Sequence, residues 1–364
     1  MQIELKPMRV INHKTMRRII GLIAFQLPIV VVLLSGQQEL SSISISYWTD
    51  ARDIFVGSLI AVAFFLFAYN GTGDCRKDIE YWFSKVACLA AIIVALFPTK
   101  AEKNCETCSP AKWIQAISEF FGTTSEVIHY TFAIILFISL ILLISFFSLR
   151  AKNKGELTRS RIYFVISVSM LVGMPVVYVL GELSKWYEPV FWVEFVGLWL
   201  FAAGWFLAGA YPSKPEEGVP EGATELAVIK VNPRNHDHST NIQIEEGVKY
   251  YFRAKGCWKD WFLECGANGW GPDWNPLARW NRIKWKPLFM LCGNVGKSED
   301  EDLNFCIGDK NTWSVRDEVK EKLKELEDRE LYLFANDWET RYGNNKELGA
   351  KEGGPLKVTI YRLK

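Results

Sequence analysis

The chain has 364 residues, enough for two or more domains, and its 42 Lys and Arg residues nearly balance its 41 Asp and Glu residues. A formal net charge of +1 argues against a general nucleic-acid-binding protein, which would carry a clustered basic excess. The average composition conceals two different halves, because residues 1–211 contain long apolar runs whereas residues 212–364 carry most of the charge. The sequence therefore predicts a membrane domain followed by a water-exposed domain.

Six apolar stretches in the first half approach the roughly 20 residues that a helix needs to cross a bilayer. They are residues 19–35, 54–69, 82–97, 131–149, 162–180 and 191–210. The second and third are short, and their ends carry Tyr69 and Trp82, aromatic types that are enriched at membrane interfaces. The first apolar run is too long for a signal peptide, and no small-residue cleavage site follows it. We therefore expect a bundle of six transmembrane helices within residues 1–211.

Lys and Arg residues are concentrated in the connections on one side of this predicted bundle. If the N-terminus is cytoplasmic, the cytoplasmic segments hold twelve of them: Lys6, Arg9, Lys14, Arg17, Arg18, Arg76, Lys77, Arg150, Lys152, Lys154, Arg159 and Arg161. The opposite segments hold five: Arg52, Lys100, Lys103, Lys112 and Lys185. Because short cytoplasmic loops are enriched in Lys and Arg, we expect the N-terminus and the C-terminal domain to face the cytoplasm, in a bacterial inner or plasma membrane. If one short stretch fails to cross, the C-terminal domain lies on the other side.

The eight cysteines show little ligand-like spacing. Cys105 and Cys108 fall in a connection predicted to lie outside the cytoplasm, where a disulfide is expected and a metal or redox role is the alternative. Four further cysteines are scattered through the second half, and we expect buried free thiols that suit a reducing cytoplasm. These are Cys257, Cys265, Cys292 and Cys306.

Polar residues within or beside the apolar stretches are candidates for function, and Glu194, Glu126 and His129 are the clearest. A membrane enzyme needs a cluster of His and Asp at one cavity, and a transporter shows broken helices in matching halves; the sequence has neither. We therefore predict no catalytic site. A lipid-modifying enzyme and a ligand-gated effector or pore-forming channel are the alternatives, and they require these three side chains to face a shared aqueous cavity.

The first half weakly resembles uncharacterised bacterial six-helix membrane proteins. The resemblance rests on Arg76-Lys77-Asp78, the pair Ala90-Ala91, residues 95–99 and His129. It implies the six-helix fold and no activity.

Residues 212–224 are rich in Pro, Gly and Glu and lack an apolar period, which predicts an extended linker. Beyond it, residues 225–364 contain short alternating segments separated by turn residues, and this pattern is typical of an all-β sandwich. The predicted strands are residues 225–231, 241–245, 248–253, 287–292, 331–335 and 356–363. Val315, Val319, Leu323 and Leu326 recur at helical spacing, so a short amphipathic helix is expected within residues 315–330.

Six tryptophans occur between residues 258 and 285, among Gly and Pro residues that predict a long ordered loop. They are Trp258, Trp261, Trp270, Trp274, Trp280 and Trp285. Indole faces stack on sugar rings, so a carbohydrate-binding surface is one interpretation. Packing in the core is the other, and we expect it for at least half of these rings.

The strand at residues 331–335 leads into a segment rich in side-chain oxygens. Asn336 and Asp337 end the alternating pattern with residues that favour turns, and Asn344 and Asn345 follow after Gly343. One carboxylate and two amide carbonyls could therefore converge on one point. Calcium prefers such oxygen ligands.

Several of these motifs occur in one order that resembles the PA-IL-like (LecA-type) family of calcium-dependent galactose-binding lectin domains. They are Gly256-Cys-Trp258, Gly269-Trp-Gly-Pro272, residues 288–296, residues 331–337 and Tyr342-Gly-Asn-Asn345. The resemblance covers residues 225–364. It implies that Asp337, Asn344, Asn345 and the backbone carbonyl of Arg341 bind calcium, with a further carbonyl from the loop at residues 258–262.

In that family the hydroxyls of the sugar complete the coordination of the metal, so the resemblance implies a sugar or another diol-bearing ligand. It places Asp337, Trp270, Trp274 and Asn275 at the ligand. The chain departs from the family pattern at Asn275-Pro276, where the family has His-Pro, and at residues 346–353, which lengthen a loop. The expected function is ligand recognition beside the lipid bilayer without catalysis, with self-association into a homo-oligomer as an alternative role of the domain.

Overall fold

The computed structural model describes residues 13–36, 40–71, 75, 77–101, 108–185, 188–210, 218–273, 275–297, 301–349 and 354–363. The chain divides into two compact units. The first comprises Met1–Tyr69 and Trp82–Ser213, and the second comprises Asn70–Tyr81 and Lys214–Lys364. The second unit thus contains the C-terminal domain together with a short segment from the first half of the sequence.

Seven helices precede the linker in the described residues. They are α1 (His13–Leu34), α2 (Arg52–Ala68), α3 (Ile79–Leu96), α4 (Lys112–Phe120), α5 (Ser125–Asn153), α6 (Leu157–Leu183) and α7 (Pro189–Ala210). Five of these, α1, α3, α5, α6 and α7, are long and apolar enough to cross a membrane, which agrees with the predicted membrane domain. Helix α2 has 17 residues and corresponds to the remaining predicted span, residues 54–69. Its length of about 26 Å is slightly less than the thickness of a bilayer core.

Aromatic side chains fill the core of the helical unit. The Trp205 ring lies 5.4 Å from the Tyr69 ring and 5.6 Å from the Phe147 ring, edge to face in both cases. Small residues on α7 allow close helix approach: a Cβ atom at Gly204 would lie 3.0 Å from Ile144 Cδ1 of α5. Such small residues are typical of helix contacts in membranes, where packing rather than hydrophobic exclusion favours association.

Twelve strands follow the linker in the described residues. They are β1 (Thr224–Lys230), β2 (His238–Gln243), β3 (Lys249–Lys255), β4 (Trp258–Asp260), β5 (Leu263–Cys265), β6 (Asn268–Trp270), β7 (Leu288–Val295), β8 (Asn304–Cys306), β9 (Lys310–Trp313), β10 (Glu330–Ala335), β11 (Asn345–Glu347) and β12 (Lys357–Leu363). Neighbours in the first sheet follow the order β1-β12-β3-β9, and those in the second follow β2-β10-β7-β6, with β8 on β7. A small third sheet has the order β11-β4-β5. All of these strand pairs are antiparallel.

One apolar core joins residues of the two larger sheets, including Phe252 and Ile360 of the first and Leu291 and Leu333 of the second. Strand β10 lies between β2 and β7, and its residues from Leu331 to Ala335 are all buried. Each of the six predicted strands overlaps an observed one. The short strands at residues 258–270, 304–306, 310–313 and 345–347 were not predicted, because strands of three or four residues carry too little alternating pattern.

The helix expected within residues 315–330 is shorter than predicted. The structure has a 3₁₀ turn at Asp317–Val319 and then α8 (Lys320–Glu325). Leu326 adopts an extended conformation, and Asp328 Oδ1 accepts a hydrogen bond of 2.8 Å from the backbone N–H of Glu330. This local turn by an Asp side chain ends the helix and begins β10, since Asp competes for backbone groups in this way.

A disulfide joins Cys75 to Cys257, with the Cα atoms 5.8 Å apart. The prediction that Cys257 is a free thiol is therefore wrong, because its partner is 182 positions away in sequence. Cys265 and Cys292 are buried free thiols as expected, and Cys306 is free and partly exposed. Cys108 is also disulfide-bonded. Cys105, its predicted partner, lies outside the described residues.

Candidate functional site

The turn that follows β10 buries Asp337, which is 4% exposed. Its Oδ1 accepts a hydrogen bond of 2.7 Å from the backbone N–H of Trp338. The other carboxylate oxygen, Oδ2, is buried and has no hydrogen-bond partner in the described part of the chain. Asn336 beside it is structural, since its side chain exchanges hydrogen bonds with the backbone of Ile283 at 2.8 and 3.0 Å. Of the two residues that end the strand, Asn336 stabilises the fold through its hydrogen bonds to Ile283, and only Asp337 keeps an oxygen without a hydrogen bond.

Asn344 and Asn345 also carry side-chain oxygens that have no donor. Asn344 ends a 3₁₀ turn at Tyr342–Asn344, and Asn345 begins β11. The amide nitrogen of Asn345 donates to the carbonyl of Pro233 at 3.0 Å, which fixes the orientation of that side chain. The Oδ1 atoms of both residues are buried without a hydrogen-bond partner among the described residues. Both predicted amide oxygens are thus fixed in position and unsatisfied.

Asp260 is a fourth member of this group. The resemblance implied a backbone carbonyl from residues 258–262, which include Asp260, but not the Asp260 carboxylate. It lies in β4 and is paired in register with Asn345 of β11. Its Oδ1 accepts from the amide nitrogen of Asn344 at 3.2 Å, and its Oδ2 accepts from Trp270 Nε1 at 3.1 Å. The pairing of β4 with β11 joins segments 85 positions apart, so no local pattern announces it. We call Asp260, Asp337, Asn344 and Asn345 the oxygen cluster.

The two carboxylates of the oxygen cluster lie close enough for the charge of Asp337 to disfavour the charge of Asp260. Burial, together with the negative charge of Asp337, raises the pKa of Asp260 from 3.8 to about 6. Burial also raises the pKa of Asp337. Two carboxylates in one partly desolvated place are electrostatically unfavourable unless a proton or a cation is present. The site is therefore predisposed to take up positive charge.

The donor set suits a hard cation. All members of the oxygen cluster offer oxygen, and calcium is bound in proteins by carboxylate and amide oxygens. Elsewhere in the described residues, as here, no three His, Cys, Asp or Glu side chains group together. Zinc and similar ions prefer nitrogen and sulfur ligands, which the cluster does not supply. Asp260 and Asp337 are the two carboxylates of the cluster, so a cation with more than two side-chain ligands would also need the amide oxygens of Asn344 and Asn345.

The other residues predicted at the site have different positions. The carbonyl of Arg341 accepts the N–H of Asn344 at 3.2 Å within the same turn, which places it beside the cluster. Trp270 contacts the cluster through its hydrogen bond to Asp260, so it orients a carboxylate. Asn275 caps the 3₁₀ turn at Pro276–Trp280 by accepting from Leu277 N at 3.0 Å, and no recorded hydrogen bond joins it to the cluster. Trp274 lies outside the described residues.

An aromatic pair flanks Asp337 that the sequence had not placed there. Trp338 follows Asp337 directly, and its ring lies 5.3 Å from the ring of Trp280, edge to face. The Trp280 side chain is 49% exposed, and the guanidinium carbon of Arg279 lies 4.3 Å from the centre of its ring. The indole N–H of Trp338 donates to the carbonyl of Leu277 at 3.1 Å and so holds the pair in place.

Of the five tryptophans that are described, two lie in or against the core and three are exposed; because Trp274 lies outside the described residues, the expectation that at least half of the six are in the core stays a prediction. Trp258 is fully buried and Trp270 packs against the core. Trp261, Trp280 and Trp285 are exposed. Flanking Gly and Pro residues keep the backbone of this segment in turns, so its rings cannot all point inwards.

The polar candidates of the helical unit bind neighbouring segments. Glu194 of α7 accepts hydrogen bonds from the backbone N–H groups of Ile43 and Ser44 at 2.5 and 3.2 Å, and from the Ser44 hydroxyl at 2.8 Å. His129 Nδ1 lies 2.6 Å from the carbonyl oxygen of Phe97. Glu126 lies in the first turn of α5, where its charge favours the helix dipole. These contacts give Glu194 and His129 structural roles.

Comparison with protein-family models gives no match, and comparison with curated proteins gives no significant match. The resemblance to galactose-binding lectins therefore stays a prediction that rests on the quoted motifs.

Proposed function

We propose that this protein is a membrane-anchored ligand-recognition protein whose C-terminal domain binds calcium through the oxygen cluster and, through that calcium, a sugar or another diol-bearing ligand. The β-sheets would form a sandwich of the galactose-binding type. No catalytic step is part of the proposal. The membrane domain would cross the bilayer six times, with both termini in the cytoplasm, and self-association is compatible with this role.

One observation carries the proposal. Three buried oxygens, Asp337 Oδ2, Asn344 Oδ1 and Asn345 Oδ1, accept no hydrogen bond of good geometry in the described part of the chain, although the side chain of Asn345 is close enough to Asp337 to oppose the rise in its pKa. Each buried acceptor without a partner costs a folded protein roughly 1 to 3 kcal/mol, so three in one place call for an explanation. A bound cation would satisfy all three and would also neutralise the repulsion between Asp337 and Asp260.

The class of ligand follows from the calcium shell and from the aromatic pair. A flexible calcium shell accepts six to eight oxygens, more than the cluster provides, so a diol could replace bound waters. Trp280 and Trp338 offer apolar surface next to Asp337 on which the apolar face of a sugar ring can pack. The contacts of Glu194 and His129 favour an anchoring role for the membrane helices over transport or catalysis.

The first test is calcium binding by the full-length protein in detergent after removal of metals with a chelator. Isothermal calorimetry should show one calcium site per chain, and Asp337→Asn should weaken it by about tenfold or more, because it removes a charged ligand. Asp317→Asn is the matched control, since it removes the same charge from a side chain that is 91% exposed. Equal calcium affinity in both variants would contradict the assignment of the cluster.

The second test concerns the diol. With calcium present, galactosides should give a binding signal that disappears on chelation, whereas methyl 3-deoxygalactoside, which has no vicinal pair of ring hydroxyls, should bind more weakly. Calcium binding without a response to any monosaccharide of a panel would support the metal site but contradict the lectin-like function.

A further inference from the structure

The disulfide between Cys75 and Cys257 lies at the edge of the proposed binding site. Cys257 is fully buried and directly precedes β4, the strand that carries Asp260. Cys75 is 5% exposed, and both sulfur-bearing residues pack in one small apolar cluster with Leu348. The bond therefore attaches segment 70–81 to the strand that supplies one carboxylate of the oxygen cluster.

Two hydrogen bonds place the same segment against β5. The backbone N–H of Lys77 donates to Glu264 Oε2 at 3.0 Å, and the N–H of Glu264 donates to the carbonyl of Lys77 at 3.0 Å. Glu264 is only 4% exposed. Because these contacts need no sulfur, they hold the two cysteines near each other whether or not the bond is closed.

The order of the helices decides which side of the membrane each disulfide occupies. Four helices of membrane-spanning length, α3, α5, α6 and α7, lie between Cys75 and Cys257 in sequence. An even number of crossings returns the chain to the same side, so the Cys75–Cys257 bond is compatible with them. Cys108 follows Cys75 after one such helix, α3, and is disulfide-bonded too. If α3 crosses the membrane, Cys75 and Cys108 lie on opposite sides of it, and one of the two disulfide-bonded residues faces the reducing cytoplasm in either orientation.

The bias of Lys and Arg residues places the Cys75 side in the cytoplasm. Disulfides in the cytosol of most organisms are transient and serve catalysis or redox sensing. We propose that Cys75 and Cys257 form a reversible redox-modification site, which is a dithiol in the resting cell and closes to the disulfide when the cytosolic thiol pool is oxidised. This inference rests on the orientation in the proposed function, and it is independent of calcium binding.

The oxidant is a small disulfide such as glutathione disulfide. One protein thiolate attacks a sulfur of that disulfide, and one glutathione leaves as a thiolate. The second protein thiolate then attacks the protein sulfur of the mixed disulfide, so the Cys75–Cys257 bond forms and the second glutathione leaves. Two electrons pass from the protein to the oxidant, and the two protons of the protein thiols go to the two glutathione thiolates.

The test uses the full-length protein with a site-specific protease sequence inserted at Gly218, an exposed position with open space around its Cα. Membranes are treated with an alkylating agent, cleaved, and run on a non-reducing gel. The halves stay linked only if the disulfide was closed at the moment of alkylation. Membranes from growing cells should give two separate fragments, and membranes exposed to glutathione disulfide before alkylation should give the linked species.

Two variants make the result specific. Cys257→Ser should abolish the linked species under all conditions, and Cys265→Ser, which alters a buried free thiol in the neighbouring strand β5, should behave as the parent. Linked halves from growing cells would overturn the proposal, because the bond would then be permanent. Separate halves after oxidation would also overturn it, because the pair would not close.

A reporter fused after Lys364 separates this proposal from the orientation on which it rests. A periplasmic reporter would contradict the orientation and the redox site together. A cytoplasmic reporter with permanently linked halves would contradict only the redox site. Calcium titration of the Cys257→Ser variant measures the oxygen cluster separately, since none of its four members is a cysteine.

Discussion

The carboxylates of Asp260 and Asp337 are proposed to bind a cation, and in its absence they destabilise the folded domain. Asp260 receives hydrogen bonds from Asn344 and Trp270, yet its neighbour Asp337 carries the same charge. Without a cation, the two partly buried carboxylates therefore lower the stability of the folded state. Such local conflict is expected at binding sites, where residues are arranged for the bound state.

We predict that Asp260→Asn stabilises the calcium-free protein at neutral pH while weakening calcium binding. The pKa of Asp260 is about 6 in the fold and 3.8 as the ordinary value, so its contribution to stability is fully present below pH 3.8 and lost as the pH rises through about 6. Removal of the unfavourable charge stabilises the folded state, and the loss of one acceptor oxygen offsets part of that effect. The net gain in the free energy of unfolding at pH 7.5 should be about 1 to 2 kcal/mol. Thermal unfolding of the chelated protein measures it.

The gain should shrink as the pH is lowered from 7.5 towards 4, because the folded-state carboxyl becomes protonated below about pH 6 and then carries no charge to be relieved. Asp317→Asn, on an exposed turn, should show no comparable gain at neutral pH. A calcium-free Asp260→Asn protein that unfolds below the wild type at pH 7.5 would show that the carboxylate is not strained.

At the level of elements, the sequence predicted the helices and strands that have a local pattern, but not the pairings between distant segments. The long apolar helices and the strands near residues 225, 249, 288, 331 and 357 follow from hydrophobic runs and alternation, which are local properties. The shortened α8 depended on one Asp-mediated turn. Asp260 reaches the site through the pairing of β4 with β11, and Cys257 finds Cys75 across 182 positions. Asp337, Asn344 and Asn345 could be found because they lie within one short segment of the sequence, residues 337–345.

Glu194 is a polar residue in an apolar helix whose contacts stabilise a neighbouring turn and give it no catalytic role. Its carboxylate accepts two backbone N–H groups at the start of the 3₁₀ turn Ser44–Trp48, where unsatisfied donors need an acceptor. The segment that connects α1 and α2 is thereby attached to α7. The acceptor is worth most where its partners are buried, and Ile43 is 2% exposed.

We predict that Glu194→Ala lowers the stability of the detergent-solubilised protein by about 1 to 3 kcal/mol, because it leaves buried backbone donors without an acceptor. A thermal unfolding scan followed by aromatic fluorescence measures the change. Glu182→Ala in α6 is the control, since that side chain is exposed and removes an equal charge. Unchanged calcium binding in Glu194→Ala would agree with a structural role, and equal unfolding temperatures for both variants would contradict it.

At the scale of the whole molecule, the number of crossings determines which compartment each site meets. If the four helices of membrane-spanning length between Cys75 and Cys257 all cross, the C-terminal domain lies on the same side of the membrane as residue 75. The orientation of both then depends on α1 and α2 together. Helix α2 is the shorter of the two, with 17 residues that begin with Arg52 and Asp53.

We predict that α2 crosses the membrane. Its 17 residues span about 26 Å, and a few ångströms of local thinning cost only fractions of a kcal/mol per ångström, less than leaving its apolar surface in water. Phe64 and Phe67 are 71% and 63% exposed, as suits side chains that face lipid. Truncations fused to a compartment-sensitive reporter after Gly36 and after Gly71 should give opposite signals, periplasmic and then cytoplasmic. Two periplasmic signals would show that α2 does not cross; the C-terminal domain would then lie outside the cytoplasm, in an oxidising compartment where calcium is abundant.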